Sequence, residues 1–520
     1  MVQFEQQDFP PLPTRNHASA KCKDDVADPQ IPSSVGTFAT INDLPDELIL
    51  GILQYVPGID VERFQLVSLV NLSRTNRYFH GLVADKLYAS YNSHFCEPYL
   101  FCRTVISNKN VAELVRHVDI TYGDYGEIHD QERKRYIPTA QDKKIVKEGL
   151  KAIGTPDWKM WATDCNTPRI EVEILHMVIL MQMPNVSSIK IRDGRISTNS
   201  GYKTPKWIDF IKRANPGMSL GSMHRFENLK SLSVDVDQLT LNRLTPIFRI
   251  VTLRNLHLKG LLELDYRNEH GAEDLRYIIP QGCNNLDELV LENTFLQLDV
   301  LEIVVASAKH LKFIRIKLVL DDLDFDFSDE LAIGSSTQLA TALRSQEDSL
   351  ESLSVITDFP AEISCYDAFK LYGGLQDFVK LRYLRCPLDS IADFNFGAWS
   401  MPLAPHLHIL HIDIRKANIK CLRAVEEMAD AHTTNAPPSL EMIRITGKYA
   451  KSSFTYDWSR LVQSLSQTDI DLVIGEVPHD EEGSGDQWED DESSAILSAD
   501  ETSSHSSDEV SLYSHSDEEL

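Results

Sequence analysis

Three groups of residues have the types and spacing to do chemistry. Gly217-Met218-Ser219-Leu220-Gly221 carries the GxSxG spacing of a nucleophile elbow. An elbow needs a buried strand before it and a helix after it, so that the serine stands clear on a strained turn. Here Lys206 to Ala214 (KWIDFIKRA) has a helical pattern, and Asn215-Pro216 breaks it just ahead of the motif. A loop after a helix is expected instead. His406-Leu407-His408-Ile409-Leu410-His411 is the densest histidine group. On a strand, His406 and His408 would share a face, a spacing that permits a metal pair. Polar side chains turned from a strand toward solvent or a partner account for the group more simply. The eight cysteines are scattered, without a CxxC pair, and none lies in a basic or helix-start setting that would favour the thiolate. They read as reduced thiols of an intracellular protein. There is no GxGxxG, GxxxxGK[ST] or HExxH, and Gly483-Ser484-Gly485 sits in an acidic stretch that would repel a phosphate. The expectation is a protein that is not an enzyme and holds no cofactor or metal.

Any chemistry therefore has to be that of binding, and charge limits the partner. The net charge of −27 excludes a general nucleic-acid binder, whose affinity would come from neutralising phosphates with Lys and Arg. From Asp480 to Leu520 there are 15 Asp or Glu and no Lys or Arg, the last basic residue being Arg460. This tail carries more than half of the net charge. Its Ser, Asp and Glu leave little to pack, so 477–520 is expected to be a disordered acidic tail. Ser506, Ser514 and Ser516 each have an acidic residue three positions later, the pattern of acid-directed phosphorylation. Residues 1–38, with five prolines and no apolar period, are expected to form a disordered leader.

No stretch approaches the roughly 20 apolar residues of a membrane span. Ile174 to Met183 (ILHMVILMQM) is the longest candidate and suits a buried helix. The N-terminus lacks a basic start followed by an apolar run, so no secretory signal is expected. The sequons at Asn71 and Asn185 are then chance matches, and the expected location is cytoplasmic and/or nuclear.

The elements that would position a binding surface begin near residue 41. Pro45 stands where a first helical residue should be, Asp46 and Glu47 complement the positive helix end, and Leu48, Ile52 and Val56 recur every four residues. Pro57-Gly58 stops this helix. A second is expected from about Asp60 to Leu72 and a third from about Arg77 to Tyr91. Three short helices in about 50 residues make a marginal domain that gains from a partner.

From about residue 110 the texture changes to a unit with apolar residues at positions 1, 4 and 6. It runs through Val115/Val118/Ile120, Val186/Ile189/Ile191, Leu229/Leu232/Val234, Leu253/Leu256/Leu258 and Leu286/Leu289/Leu291. It continues through Leu311/Ile314/Ile316, Leu350/Leu353/Val355, Leu407/Leu410/Ile412 and Leu440/Ile443/Ile445, with a weaker copy at Leu381/Leu384/Cys386. From 186 onward the units start 24 to 43 residues apart, overlapping the period of leucine-rich repeats. Positions 4 and 6 alternate like a short strand with one buried face. Helical stretches lie between, clearest at Leu298 to Lys309 and Cys421 to Ala431, which favours parallel strands with crossover helices.

Leu44-Pro45-Asp46-Glu47-Leu48, the Ile52-Leu53 pair, and Leu72-Ser73-Arg74-Thr75-Asn76-Arg77-Tyr78-Phe79 together resemble the F-box. The resemblance covers about 45 residues, and the segment from Pro57 to Val70 is a few residues longer than the usual pattern. An F-box followed by leucine-rich repeats is a domain order common among fungal F-box proteins. The resemblance implies an α/β fold: a small three-helix F-box at 39–92, then a curved leucine-rich-repeat-like solenoid of parallel strands and helices at 93–476. It further implies the substrate-recognition subunit of an SCF-type cullin–RING ubiquitin ligase. Leu44, Pro45, Glu47, Leu48, Ile52 and Leu53 would meet a Skp-type adaptor and, through it, a cullin, with Leu72 and Phe79 in support. The repeats would hold an unidentified protein substrate; neither nucleic acid nor a membrane is expected as partner. The competing reading is a non-catalytic repeat scaffold or regulator whose F-box-like segment takes no part in ubiquitination.

Overall fold

The computed structural model describes residues 44–54, 61–122, 136–167, 172–194, 205–214, 223–261, 271–294, 298–319, 339–358, 371, 375–391, 403–414, 439–446, 459–466 and 468–475. The expected leader and tail, the GxSxG motif and the helix expected over Cys421–Ala431 lie outside them. The chain divides into two compact units, residues 1–84 and 85–520.

The first unit is helical. Its elements are α1 (Asp46–Gln54), α2 (Val61–Thr75) and most of α3 (Arg77–Leu87). Pro45 opens α1 as anticipated: its carbonyl accepts the amides of Leu48 (3.0 Å) and Ile49 (3.2 Å). Asn76 separates α2 from α3 and caps the latter, its Oδ1 accepting the Phe79 amide at 2.9 Å. Ile49, Phe79, Val83 and Ala84 are buried.

The second unit is built on twelve strands that all run parallel and pair in strict sequence order. They are β1 (Ser90–Asn92), β2 (His117–Tyr122), β3 (Ser188–Asp193), β4 (Ser231–Leu239), β5 (Asn255–Leu261), β6 (Glu288–Glu292), β7 (Phe313–Val319), β8 (Ser352–Asp358), β9 (Tyr383–Pro387), β10 (Ile409–Asp413), β11 (Met442–Thr446) and β12 (Asp471–Gly475). The register follows the sequence pattern. Val118, Ile189, Leu232, Leu256, Leu289, Ile314, Leu353, Leu384, Leu410 and Ile443 stand side by side, with Tyr91 and Leu472 at the two ends. The position-1 residues, from Val115 to Leu440, are buried beneath the strand entrances. At those entrances one carbonyl accepts two amides of the following unit. Lys312 O, for example, takes Glu351 N at 2.8 Å and Ser352 N at 2.9 Å.

The helix expected to run to Tyr91 ends instead at Leu87, and Ser90–Asn92 forms the first strand. An aromatic residue suits a strand, and Tyr91 is fully buried in register with Val118.

Helices return the chain between strands. They are α4 (Pro98–Ser107), α5 (Lys109–Leu114), α6 (Ala140–Ile153), α7 (Trp158–Cys165), α8 (Val172–Gln182), α9 (Lys206–Ala214), α10 (Leu241–Leu244), α11 (Gly271–Ile278), α12 (Leu298–Ala306), α13 (Leu339–Leu343), α14 (Leu388–Ile391) and α15 (Ser459–Leu465). In α8, residues 174–181 are buried all round, as the apolar run ILHMVILMQM requires. Thr139 and Asp142 form a capping box at α6. Burial alone would raise the Asp142 carboxyl, but hydrogen bonds from Thr139, Tyr136 and Arg103 outweigh it and hold the group well below the usual range. Buried amides join neighbouring units. Gln346 accepts Leu311 N at 2.9 Å and donates to Val305 O at 3.0 Å and Ala308 O at 2.9 Å. No helix among the described residues is long and apolar enough to cross a membrane.

Candidate functional site

In the helical unit, α1 sorts its apolar residues onto two faces. Ile49 is 2 % exposed and packs inward, whereas Leu48 is 56 % and Ile52 51 % exposed, one turn apart along the flank beside it. Leu44 (36 % exposed) precedes them by the same spacing, and Pro45 and Glu47 are exposed beside it. Five of the sequence-predicted contact residues thus lie at the surface. Leu72 is half-buried in α2. Phe79 is buried, its ring edge-on to Tyr78 with centroids 5.2 Å apart, so its place is in the packing of the helices. The side chain of Leu53 lies outside the described set. Tyr78 donates its hydroxyl to Asp46 Oδ1 at 2.5 Å, tying the start of α3 to the start of α1. That hydrogen bond, with desolvation and the charges of Asp46 and Glu47, raises the phenol above its ordinary value.

In the sheet unit, the side of each strand away from the apolar rows carries mostly polar residues at the first, third and fifth positions. Between β2 and β7 these form the cross-strand ion pairs Arg192–Asp119 at 2.7 Å and Lys259–Asp235 at 3.0 Å, and His257 lies 3.4 Å from Glu292.

Across β9–β11 the same side holds a buried polar chain. The Tyr383 hydroxyl lies 3.2 Å from His411 Nδ1, and His411 Nε2 lies 2.7 Å from Thr446 Oγ1. Thr446 Oγ1 donates to Asp413 Oδ1 at 2.6 Å, and Arg385 donates to both Asp413 oxygens at 3.0 and 3.4 Å. Thr446 spends its only proton on Asp413 and so accepts from His411 Nε2–H, and in the neutral ring Nδ1 then accepts from the Tyr383 hydroxyl. Desolvation pushes the pKa of His411 down to about 4, with Arg385 and Arg444 adding to the effect and Asp413 opposing it. Sequence reasoning named His411 only as a member of the histidine group 406–411 and missed the other four residues of this chain.

The other chemistry-bearing groups are absorbed by the fold. His406 is exposed at the turn before β10, and His408 pairs with Glu441 at 2.9 Å. Among the described residues no group of His, Cys, Asp and Glu could hold a metal ion. Burial raises the thiols of Cys102, Cys165 and Cys386, that of Cys165 to about 12, which keeps them protonated.

Comparison with protein families matches residues 41–88 to the F-box domain. No curated protein matches the chain. The chain thus carries an F-box domain at 41–88, which contains α1 to α3 and all eight of the predicted contact residues.

Proposed function

We propose that the protein is the substrate-recognition subunit of an SCF-type cullin–RING ubiquitin ligase. The F-box domain docks on a Skp-type adaptor and, through it, a cullin. The sheet unit, read as a leucine-rich-repeat-like solenoid, holds a protein substrate. One observation carries the reading: within the F-box domain, Leu44, just ahead of α1, and Leu48 and Ile52 on it form an exposed apolar row, although Ile49 beside them is buried. Such a row is an interaction surface waiting to be covered. In this role the chain supplies proximity, raising the concentration of substrate near a ubiquitin carrier, and needs no bond-making groups of its own.

The experiment is co-purification of the full chain with a Skp-type adaptor, for the parent and for Leu44→Ala/Leu48→Ala. Both side chains are exposed in the free chain, so the fold should tolerate their loss. Burying a leucine against a partner is worth about 1.5–3 kcal/mol. The pair therefore weakens binding by on the order of a hundredfold or more. Undiminished adaptor capture by the double variant refutes the interface. Adaptor binding without recovery of a cullin refutes the ligase role and favours a scaffold.

A further inference from the structure

The exposed row of the F-box domain is held least firmly where it begins. Leu44 stands just ahead of α1 and Leu48 lies in its first turn. Helix ends lack the full set of hydrogen bonds that fixes a helix interior, and they fray first. The Pro45 carbonyl closes the first turn by accepting Leu48 N and Ile49 N, which leaves Leu44 outside it.

The Tyr78–Asp46 hydrogen bond falls at this point. Asp46 is the first residue of α1, two positions after Leu44 and two before Leu48. Its Oδ1 accepts the Tyr78 hydroxyl at 2.5 Å, a length typical of a bond to a charged carboxylate. Among the described residues neither side chain makes another hydrogen bond or an ion pair. The donor is firmly mounted. Tyr78 is the second residue of α3, in a turn closed by Asn76, whose Oδ1 accepts Phe79 N at 2.9 Å and whose carbonyl accepts His80 N at 3.0 Å. Its ring stands edge-on to the buried Phe79. Tyr78 is nonetheless 41 % exposed. Water would satisfy such a hydroxyl nearly as well, so the bond adds little to the stability of the whole domain. What it fixes is local: the opening of one helix against the opening of another.

We propose that Tyr78 is a positioning residue for adaptor docking. Through its hydroxyl it ties Asp46, and with it the first turn of α1, to α3, so that Leu44 and Leu48 are in place before the adaptor arrives. The proposal rests on the adaptor reading above. Binding loses affinity wherever a partner has to order the groups it grips. Two leucines on a tethered turn avoid that loss, and two on a frayed turn do not. Tyr78 need not touch the adaptor to have this effect.

The test measures affinity for a Skp-type adaptor, and amide hydrogen exchange of the free protein, on the full-length chain. The proteins are the parent, Tyr78→Phe, Asp46→Ala and Asp46→Asn, with each Asp46 change also combined with Tyr78→Phe. Tyr78→Phe keeps the ring against Phe79 and removes only the hydroxyl. It is expected to weaken adaptor binding about three- to tenfold, the equivalent of one net hydrogen bond. Exchange corrected for intrinsic rates should quicken in peptides covering 44–50 and stay at the parent's level in 77–87. Asp46→Ala should weaken binding as much, and its combination with Tyr78→Phe no further, because both changes remove one interaction. Asp46→Asn and Asp46→Ala lose the same charge, but only Asn keeps an oxygen for the hydroxyl. Asp46→Asn should therefore bind more tightly than Asp46→Ala, and adding Tyr78→Phe should erase the difference.

If the parent does not bind the adaptor, the adaptor reading and this proposal fall together. If the parent binds and Tyr78→Phe binds as tightly, the reading stands and the proposal falls. Weaker binding by Tyr78→Phe with neither Asp46 variant affected makes Tyr78 a direct contact and overturns the positioning role. Losses that add in full, equal binding by the two Asp46 variants, or loosening of 77–87 together with 44–50 overturn it as well.

Discussion

His411 should make the C-terminal strands sensitive to mild acid. Its imidazole is 4 % exposed and held between the Tyr383 and Thr446 hydroxyls, with its pKa lowered from 6.5 to about 4. An opened segment exposes the ring to water, where its pKa returns to the ordinary value. Protons then bind the open state more readily than the closed one, so stability falls as pH falls. The loss starts near 6.5 and is complete near 4, below which both states are protonated. At pH 5 the open state is favoured by about 2 kcal/mol relative to neutral pH, or ~30-fold in the opening equilibrium. Repeat arrays open locally, so the readout has to be local. Hydrogen exchange of peptides covering 407–414, corrected for intrinsic rates, should show this increase between about pH 7.5 and 5 in the parent. In His411→Gln the increase should disappear, whatever the variant does to absolute stability. An equal pH dependence in parent and variant would refute the assignment of a buried neutral imidazole.

Two further outcomes test the packing. Leu289, 1 % exposed and aligned between Leu256 and Ile314, becomes an unpaired buried carboxylate in Leu289→Asp. That should cost several kcal/mol and appear first as proteolysis within β5–β7; a variant as resistant as the parent disproves the register. Gly149 on α6 abuts α4, where an added Cβ would collide with Ile106 Cγ2. Gly149→Ala should therefore lower stability by about 1–3 kcal/mol through overpacking, and an unchanged or higher melting temperature shows that Ile106 turns aside freely.

The strands that the sequence reveals and those it hides differ for a physical reason. Each of the ten units from Val115 to Leu440 shows apolar residues at positions 1, 4 and 6 because an inner strand is packed on both sides. The end strands have one neighbour each and break the pattern. Aligned with the rest, β1 would carry Tyr88, Tyr91 and Ser93, and β12 carries Asp469, Leu472 and Ile474. A polar residue at one of three places suffices to conceal each, as expected of repeats that cap an array. In the F-box domain the motif is local and its helix starts are legible, but the period of four does not say which face is covered. Packing decides that, turning Ile49 and Phe79 inward and leaving Leu48 and Ile52 at the surface.

The polar chain of β9–β11 is hidden from the sequence for another reason. Tyr383, Arg385, His411, Asp413 and Thr446 are spread over more than sixty residues, and no spacing rule joins them. Register joins them. In a parallel sheet whose strands follow sequence order, each apolar triplet fixes its neighbour's alignment, and the positions between the apolar ones then stack into rows of their own. Setting Ile314, Leu353, Leu384, Leu410 and Ile443 side by side brings Arg315, Ser354, Arg385, His411 and Arg444 into a single row. That row therefore follows from the sequence once the register is known. The burial of Ser354 and the direction of each hydrogen bond do not, because they depend on packing around the row and not on the order of residues along it.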